Sequence, residues 1–524
     1  MDRLRSIFRA LLDYGWSQQR FNADWFEVAW IDGHVRGSNN SALIGALLAN
    51  KEGGSKRFGA EKVEDIFREE VRFLRERIAR EARIEDEASR ATAPMLQVPF
   101  ALVRQEPVGH GCFHTGVLGT AKPLLRWVYD CGSWTKKDIL KQRADSFARR
   151  LLQDTSRETD IDLLFTSHFD ADHVSGLDYL LGRERKPPVR VHTAVIPYMS
   201  PAAAFAILAT AAANESCTDE LIEVVCRPAR FFAERDVKRL IIYKPKEGER
   251  SAGDRREPPP GPPRGSPPGP RSPDSLTPFF IKPNGDQLIA QRDAESGIDV
   301  AAAEHGTVCG ISADGRWADW WLLPYAYEWS SNREKLNSLA KDIVGLDPGL
   351  AGFYERLPEQ LQSKDGIRQV KSIFAELDSN GTSLSLYTGP DRCDRARCVY
   401  GPSNKASRVG WLLTGDANLN SQVRMDEWKE AFTRTSACTG QLMVPHHGAS
   451  ANFNADLLTY AEGARHFVTV NDDDYTNGKR PPKIVVDQID KLHVVSEQDA
   501  SCIGEVSGPA NLNDDYWRTE VSKW

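Results

Sequence analysis

The sequence of 524 residues contains neither a long apolar run nor a closely spaced pair of cysteines. No stretch of about 18 apolar residues occurs, although a helix needs that length to cross a bilayer. The N-terminus has no apolar segment followed by small residues, which a secretory signal would require. The nine cysteines are scattered and form no CxxC pair, a pattern typical of reduced thiols. We therefore expect a cytoplasmic protein that is neither secreted nor inserted in a membrane.

Positive charge is not in excess either. Lys and Arg total 67 against 74 Asp and Glu, a formal net charge of −7, which excludes a protein that attracts nucleic acid through its overall field. If nucleic acid is the substrate, local basic patches or bound metal ions must hold it. The hydrophobic content of 40% and the charged content of 27% are typical of a globular protein, and the length predicts two or three folding units.

The chain divides into two regions of different pattern. Residues 1–95 show apolar residues at helical spacing and a long charged segment at about 62–87, so we predict a helical accessory region that could dock a protein partner. From residue 96 to residue 524, short apolar runs alternate with helical segments, as expected for an α/β layer fold. A Pro- and Gly-rich stretch at about 248–278 predicts a flexible loop within that region.

Polar residues repeatedly follow predicted strands. A buried strand at 161–165 leads into the run 167–173, Ser-His-Phe-Asp-Ala-Asp-His. A strand at 409–413 leads to Asp416, and a short strand at 441–444 leads to the pair 446–447, His-His. Loops at the carboxyl ends of strands in α/β sheets converge on one rim, so we expect these segments to meet.

The first of these segments has the composition of a metal site. His168 and Asp170 are two residues apart in an extended segment, so their side chains can point to one side, while Asp172 and His173 occupy the turn into the next helix. Imidazole and carboxylate groups are the ligands that divalent metals use at hydrolytic sites. A polar surface turn is the alternative, but the position after a buried strand and the downstream clusters favour metal binding.

Together these segments resemble the metallo-β-lactamase superfamily. The run 166–177 resembles its HxHxDH signature, with Asp170 in place of the second His, and Asp416 resembles the strand-end Asp that bridges two metals. The segment 444–450, Val-Pro-His-His-Gly-Ala-Ser, resembles the HHGS motif of the metallo-β-lactamase-like nuclease domain of bacterial DNA-uptake (competence) channel proteins. Three further segments fit that branch, namely 109–111, 129–132 and 380–384.

The resemblance spans roughly residues 97–505 and implies a fold and a ligand set. The fold is a four-layer αββα sandwich, here with an N-terminal helical region and helical insertions. The sequence departs from the family pattern in two places. His192 and His305, the histidines between the first two motifs, are interpreted as structural, and Lys479 and Arg480 stand where the family has its last His. The implied metal ligands are His168, Asp170, Asp172, His173, Asp416 and His446.

Charge counting points to an anionic substrate. Two divalent ions contribute +4 and the three ligating aspartates contribute −3, which leaves a local charge of +1 and favours a phosphodiester. Asp170 adds an oxygen ligand where the family has His, and oxygen ligands favour harder ions. We therefore expect two divalent ions, Mn²⁺ or Zn²⁺, as cofactors. At a separation of about 3.5–4 Å they would activate a bridging water as hydroxide for attack on phosphorus.

Some residues can be given individual roles. We predict Asp172 as the catalytic group that orients the water or accepts its proton, and His447 as the group that contacts the phosphate or protonates the leaving oxygen. Lys479 and Arg480 could clamp the phosphate or form a solvated basic turn. Asp130 could hold a ligand histidine in one tautomer or be a simple turn residue.

Three classes of function are compatible with these motifs. The favoured class is a metal-dependent nuclease or phosphodiesterase that cleaves nucleic acid, with DNA as the expected substrate. The alternative enzyme is a hydrolase of a small ester, thioester, lactone or lactam, because one fold can host all these reactions. The third class is a metal-stabilised scaffold without activity. The DHH-type phosphoesterases also use paired aspartates and a His-His element, but their motif spacing differs.

Overall fold

The structure, a computed structural model, describes most of residues 100–509. The residues inside this range that it does not describe are 120–122, 135–136, 152–158, 183–188, 246–275, 284–285, 314–315, 329–332, 349, 351, 374–381, 394–395, 401–407, 462, 490–491, 499–500 and 502. All described residues belong to the compact unit Met95–Trp524. The predicted helical region 1–95 and most of the predicted loop at 248–278 lie outside them. Among the described helices, none combines the length and the hydropathy needed to cross a bilayer.

Two mixed β-sheets form the centre of this unit. The strands of the larger sheet are β1 Phe100–Gln105, β2 His114–Gly119, β3 Pro123–Tyr129, β4 Ile161–Phe165, β5 Val191–Pro197, β6 Arg239–Tyr243, β8 Gln291–Arg292, β9 Asp299–Ala303, β13 Ala396–Tyr400 and β18 Ile503–Pro509. Those of the smaller sheet are β7 Thr277–Ile281, β10 Val308–Ala313, β11 Arg316–Glu328, β12 Thr382–Gly389, β14 Gly410–Leu413, β15 Thr439–Met443, β16 Arg465–Thr469 and β17 Leu492–Val495. The strand order is β13-β18-β1-β2-β3-β4-β5-β6-β9-β8 in the larger sheet and β17-β16-β15-β14-β12-β11-β10-β7 in the smaller one.

The described α-helices connect the strands. They are α1 Lys137–Leu151, α2 Ala171–Val174, α3 Leu177–Leu181, α4 Pro201–Ala213, α5 Asp219–Cys226, α6 Pro228–Ala233, α7 Arg333–Val344, α8 Phe353–Gln362, α9 Lys364–Ile373, α10 Gln422–Ala431, α11 Asp456–Tyr460, α12 Asp472–Thr476 and α13 Lys483–Val486. Local signals explain several starts. The Ser200 side chain, for example, caps α4 by accepting a hydrogen bond from the backbone N–H of Ala203, with a proline at the first helical position, as helix N-termini prefer.

Three apolar clusters define four layers. Between the two sheets, buried side chains from both pack together, including Trp127, Trp320 and Trp411. A second cluster, which includes Phe205 of α4, joins helices to the outer face of the larger sheet. A third, which includes Trp428 of α10, covers the outer face of the smaller sheet. The order is therefore helices, sheet, sheet, helices, and the predicted α/β sandwich is confirmed.

The sequence patterns located the strands that lead into the metal motifs but missed others. The predicted loop at 248–278 extends too far, because Thr277 and Pro278 belong to β7, which pairs antiparallel with β10. Strands β13 and β18 were not predicted at all, and they pair with each other while β18 also pairs with β1. A strand of this kind is stabilised by partners remote in sequence, so its local pattern is weak.

The polar segments follow strands that end at the same place. Strands β3, β4 and β5 run parallel in the larger sheet, and β14, β15 and β16 run parallel in the smaller one. Asp130 follows β3, the segment 166–173 follows β4, Asp416 follows β14 and His446 follows β15. The carboxyl ends of parallel strands meet at one edge of a sheet, so the fold gathers these residues at one end of the sandwich.

A buried histidine between the sheets should make the fold sensitive to acid. His114 lies on β2 with its ring 5.1 Å from that of Trp411, and burial lowers its pKa to about 3. Histidine in an unfolded chain has a pKa of about 6.5, so only the unfolded chain takes up this proton between these two values. The stability contributed by neutral His114 is complete above pH 6.5 and is lost progressively as the pH falls toward 3.

We therefore expect His114→Leu to flatten the acid side of the stability profile. The free energy of unfolding of the wild type should fall more steeply between pH 6 and pH 4.5 than that of the variant, by about 1.4 kcal/mol per pH unit. Urea unfolding in EDTA at several pH values measures both slopes. His493→Leu, at an exposed histidine, is the control and should follow the wild type. Equal slopes for all three proteins would show that His114 does not limit stability in acid.

Candidate metal centre

The first motif begins directly after β4 and runs into α2. His168 is fully buried, Asp170 is the N-cap of α2, and Asp172 and His173 lie within that helix and are buried. The backbone of α2 is packed very closely against Gly132. A Cβ atom at Gly132 would lie 2.4 Å from the carbonyl carbon of Asp172 and from the amide nitrogen of His173. Gly132 is therefore required for the close approach of α2 to the end of β3. This approach positions the side chains of Asp172 and His173.

The downstream residues are carried by two turns with left-handed backbone. Asp416 follows Gly415, which has a φ of 54°. In the turn His446–Gly448, three consecutive residues have positive φ, with values of 50° and 53° for the two histidines and 75° for the glycine. Left-handed backbone costs about 1–2 kcal/mol for each residue with a Cβ atom, and such strain concentrates at functional sites. The amide of His446 donates to the carbonyl of Gly415 at 3.1 Å, which joins the two turns.

One carboxylate oxygen of Asp416 faces the first set of donors. Its Oδ2 lies 3.7 Å from Nε2 of His168 and 3.6 Å from Nε2 of His446. Oδ2 of Asp170 lies 3.7 Å from the same Nε2 of His168. Ligands that share one ion through bonds of about 2.0–2.2 Å lie roughly 3–4 Å apart. Donor atoms of His168, Asp170 and Asp172 all lie within 4.8 Å of one another, so these three residues can hold one divalent ion.

The other carboxylate oxygen of Asp416 faces a second set. Its Oδ1 lies 3.2 Å from Nε2 of His173 and 3.8 Å from Nε2 of His447. Nε2 of His447 also lies 3.0 Å from Oδ2 of Asp172. Donor atoms of these four residues all lie within 4.8 Å of one another and all four are buried. Asp416 is thus placed between two donor sets, as a bridging carboxylate would be.

Hydrogen bonds behind the first motif orient its rings. Nδ1 of His173 lies 2.7 Å from Oδ2 of Asp130. Ser167 donates to both carboxylate oxygens of Asp130, from its backbone N–H at 2.6 Å and from its hydroxyl at 2.7 Å. The same hydroxyl oxygen lies 2.9 Å from Nδ1 of His168 and can accept its proton. Asp130 therefore lies where it can fix the tautomers of ligand histidines, as proposed from the sequence, and Nε2 of both rings faces the site.

The residue that follows the smaller sheet's strand β15, His447, is oriented by a hydrogen bond in the same way. Its Nδ1 donates to the backbone carbonyl of Thr469 at 2.7 Å, and a carbonyl can only accept. Nε2 of the same ring faces the carboxylate of Asp172. The ring satisfies both contacts only if it carries a second proton or if a cation lies between Nε2 and the carboxylates. Thr469 is remote from His447 in sequence, and no local sequence pattern predicts this contact.

The unpartnered atoms of the site fit bound cations. Nε2 of His168, Nε2 of His173 and Oδ1 of Asp416 are buried without a hydrogen bond of acceptable geometry. Such atoms are rare because burying a polar group without a partner costs free energy. All three belong to the donor sets described above. The residues present therefore fit divalent metal ions, each of which would bond to these atoms.

The protonation states agree with metal binding. Burial, reinforced by the charge of His173, lowers the pKa of His168 to about 3. Burial would raise the pKa of Asp416, but His446, His173 and His447 hold it well below its usual value. For His173 burial acts to lower the pKa, yet Asp416, Asp130 and Asp172 raise it well above 6.5. The carboxylate of Asp416 therefore stays ionised, and a metal ion would displace the proton of His173.

Sequence analysis missed His110 as part of this site. Its ring lies 4.2 Å from that of His447, its Nε2 is 3.7 Å from Oδ2 of Asp172, and its Nδ1 is 3.6 Å from Oδ2 of Asp474. Burial, together with the charge of His447, lowers its pKa to about 3. The available signal was a histidine between two glycines, which allow the backbone to approach closely.

The side chains of Lys479 and Arg480, which were predicted near the site, have different surroundings in the structure. Nη1 of Arg480 lies 3.5 Å from Nε2 of His110, at the edge of the second donor set. Lys479 is mostly exposed and pairs with Asp474 at 3.8 Å. His192 and His305 contact Thr193 and Tyr325 instead of the site.

Seven residues predicted for the site are therefore brought together. Both His446 and His447 face Asp416, although sequence analysis predicted a metal ligand only for the first of them. The assignment of His447 to catalysis stays a prediction. The seven residues are His168, Asp170, Asp172, His173, Asp416, His446 and His447.

The fold places buried histidines and aspartates at the ends of parallel strands, between two layers of helices. These residues form a cluster that could bind metal ions. Residues 126–275 match the family model of the metallo-beta-lactamase superfamily. The matched residues include the first metal motif.

The solved structure of unliganded yeast PDE1 is similar to this chain at 9% sequence identity and a TM-score of 0.32, and the similarity covers 79% of this chain and 99% of that one. No curated protein matches the sequence.

Proposed function

We propose that this protein is a two-metal phosphodiesterase that cleaves nucleic acid, with DNA as the expected substrate. The observation that carries this proposal is the position of Asp416, whose two carboxylate oxygens face two separate donor sets. The resemblance of 444–450 to the nuclease domain of DNA-uptake channel proteins supports it. Three carboxylates among the proposed ligands also favour ions harder than zinc, so Mn²⁺ is included beside Zn²⁺.

The residues of the site divide into two groups of proposed ligands. His168, Asp170 and His446 would hold one ion, and His173, Asp172 and His447 the other, with Asp416 shared. Ions bound there would make a water molecule nucleophilic near neutral pH and offset the charge that builds on a phosphoryl group. Two divalent ions against three carboxylates leave a local charge of +1, which favours an anionic substrate over a neutral one.

The surrounding residues support binding and orientation. Asp130 and Thr469 fix the rings of His173 and His447, so little reorganisation is needed on substrate binding. Asp172 stays ionised because His173 and His447 outweigh the effect of burial and hold its pKa well below the usual value. It is therefore a better ligand than proton acceptor. Arg480, half-buried beside His110, is placed to contact a phosphate oxygen.

The test is metal content followed by a substrate panel. We expect the purified protein to carry about two divalent ions per chain and to cleave labelled DNA or RNA with Mn²⁺ or Zn²⁺. EDTA should abolish the cleavage, and added metal should restore it. Single- and double-stranded forms are assayed side by side. The Asp172→Ala variant, purified identically, reveals contaminating nucleases, because cleavage that persists in it does not come from this site.

Two outcomes would replace the proposal with the other classes of function. Turnover of a small ester, thioester or lactam, without cleavage of any nucleic acid, would identify a small-molecule hydrolase. Bound metal without turnover of any substrate, and loss of thermal stability in EDTA, would identify a metal-stabilised scaffold.

A further inference from the structure

Two aromatic side chains are exposed close to the metal centre. Among the described residues, six large hydrophobic side chains are exposed, and of these only Trp134 and Tyr475 are aromatic. Trp134 is 47% exposed and Tyr475 is 45% exposed. Aromatic rings normally contribute to a core or an interface because they bury a large apolar area. Two exposed rings in one neighbourhood therefore indicate a binding surface.

Trp134 is hydrogen-bonded to His110, and Tyr475 is the sequence neighbour of a residue that contacts it. The backbone N–H of Trp134 donates to the carbonyl oxygen of His110 at 2.7 Å. Tyr475 directly follows Asp474, whose Oδ2 lies 3.6 Å from Nδ1 of His110. The ring of His110 in turn contacts that of His447, with centroids 4.2 Å apart. Trp134 and Tyr475 thus lie at the rim of the second donor set.

The charges at this rim nearly cancel. Helix α12 begins with three aspartates, at 472–474, and Lys479, Arg480 and Lys483 follow it. Such a surface offers few of the cationic contacts to phosphates on which nonspecific affinity for a duplex depends. Unpaired bases have free faces that can stack on aromatic rings, whereas the bases of a duplex are already stacked on one another. The combination of exposed rings and balanced charge fits a single strand better than a duplex.

We propose that Trp134 and Tyr475 stack the bases of a single-stranded nucleic acid and so guide its backbone to the metal centre. This inference rests on the proposed phosphodiesterase function and specifies its substrate. Each ring supplies affinity through its face alone, so the site tolerates different base sequences. Binding should therefore depend on the aromatic character of both positions.

The experiment compares leucine and phenylalanine variants at both positions. Fluorescence anisotropy with a labelled single-stranded oligonucleotide in EDTA measures binding without hydrolysis. Hydrolysis of methyl p-nitrophenyl phosphate, a small phosphodiester without a base, measures the metal centre separately. We expect Trp134→Leu and Tyr475→Leu to weaken oligonucleotide binding by about 10-fold each. Trp134→Phe and Tyr475→Phe should bind within about 2-fold of the wild type, because they keep an aromatic face.

A matched control and the small substrate separate the two proposals. The control variant is Ile289→Ala, at a side chain that is 79% exposed. Ile289 lies beside the edge strand β8, which is four strands from β4 and therefore roughly 19 Å from it. This variant should leave oligonucleotide binding unchanged. Hydrolysis of the small substrate should change less than about 2-fold in every variant, since stacking on bases does not contribute to it.

The inference is overturned if the leucine variants bind the single strand like the wild type, or if a duplex binds as tightly. It is also overturned if affinity falls steeply with salt and is insensitive to both aromatic positions. If no metal supports hydrolysis of the small substrate or the oligonucleotide by the wild type, the proposed function fails. The anisotropy result still decides for or against stacking in that case, because it requires no hydrolysis.

Discussion

Replacing Asp416 with Asn will lower phosphodiester hydrolysis by at least about 1,000-fold and will reduce the bound metal from about two ions per chain to one or none. The reason is the shared position of this carboxylate. Its Oδ2 faces His168 and His446, and its Oδ1 faces His173 and His447. An amide in its place removes one negative charge and turns an NH₂ group toward one of the two donor sets.

The measurement combines elemental analysis of the purified variant with initial rates in Mn²⁺ and in Zn²⁺. Asp426→Asn is the matched control, because Asp426 is an exposed aspartate on α10 that accepts a hydrogen bond from Gln422. It should keep both the metal content and the rate of the wild type. Circular dichroism should show the fold of both variants intact. An Asp416→Asn protein that keeps its metal and its rate would rule out a bridging role.

Replacing Asp130 with Asn will weaken metal binding by about 10- to 100-fold. Asp130 accepts hydrogen bonds from Ser167 on both oxygens and lies 2.7 Å from Nδ1 of His173. An asparagine amide has only one accepting oxygen, so one donor of this network would meet an NH₂ group in either orientation. The φ of Asp130 is 58°, a left-handed conformation that asparagine tolerates, so the backbone should keep its path.

Competition with a chelator measures the dissociation constant of the metal for the Asp130→Asn variant. Reaction rates at saturating metal concentration show whether the variant is active once metal is bound. Asp162→Asn is the control, since Asp162 is also a buried aspartate and accepts from the backbone N–H of Arg126 at 2.8 Å. We expect that control to lower stability without changing metal affinity. If the wild type and Asp130→Asn bind metal with equal affinity, Asp130 is only a structural turn residue.

Much of the metal centre could be predicted from the sequence because its signals are local. A buried strand followed by alternating histidines and aspartates identifies His168, Asp170, Asp172 and His173 within one short segment. Asp416 could be located for the same reason, since it too follows directly on an apolar strand. Segments of this kind need no information about distant residues, and the alternation of strands and helices fixes the fold class in the same way.

Other features depend on contacts between residues far apart in the chain. His110 joins the site only because the segment after β1 packs against α2, with the amide of Cys112 donating to the carbonyl of Asp172 at 3.1 Å. The exposed Trp134 and Tyr475 are separated by more than 300 residues in sequence, and both are connected to His110, Trp134 by a backbone hydrogen bond and Tyr475 through its neighbour Asp474. Strands β13 and β18 likewise depend on partners that no local pattern identifies.

The first motif was evident from its seven residues alone, because the residue types at this spacing are those that bind metal. Only the tertiary structure could place Asp416 between two donor sets and direct Nε2 of His447 inward through the carbonyl of Thr469. The physical reason is that residue type and spacing are local properties, whereas the bridging position and the tautomers depend on hydrogen bonds between strands of both sheets.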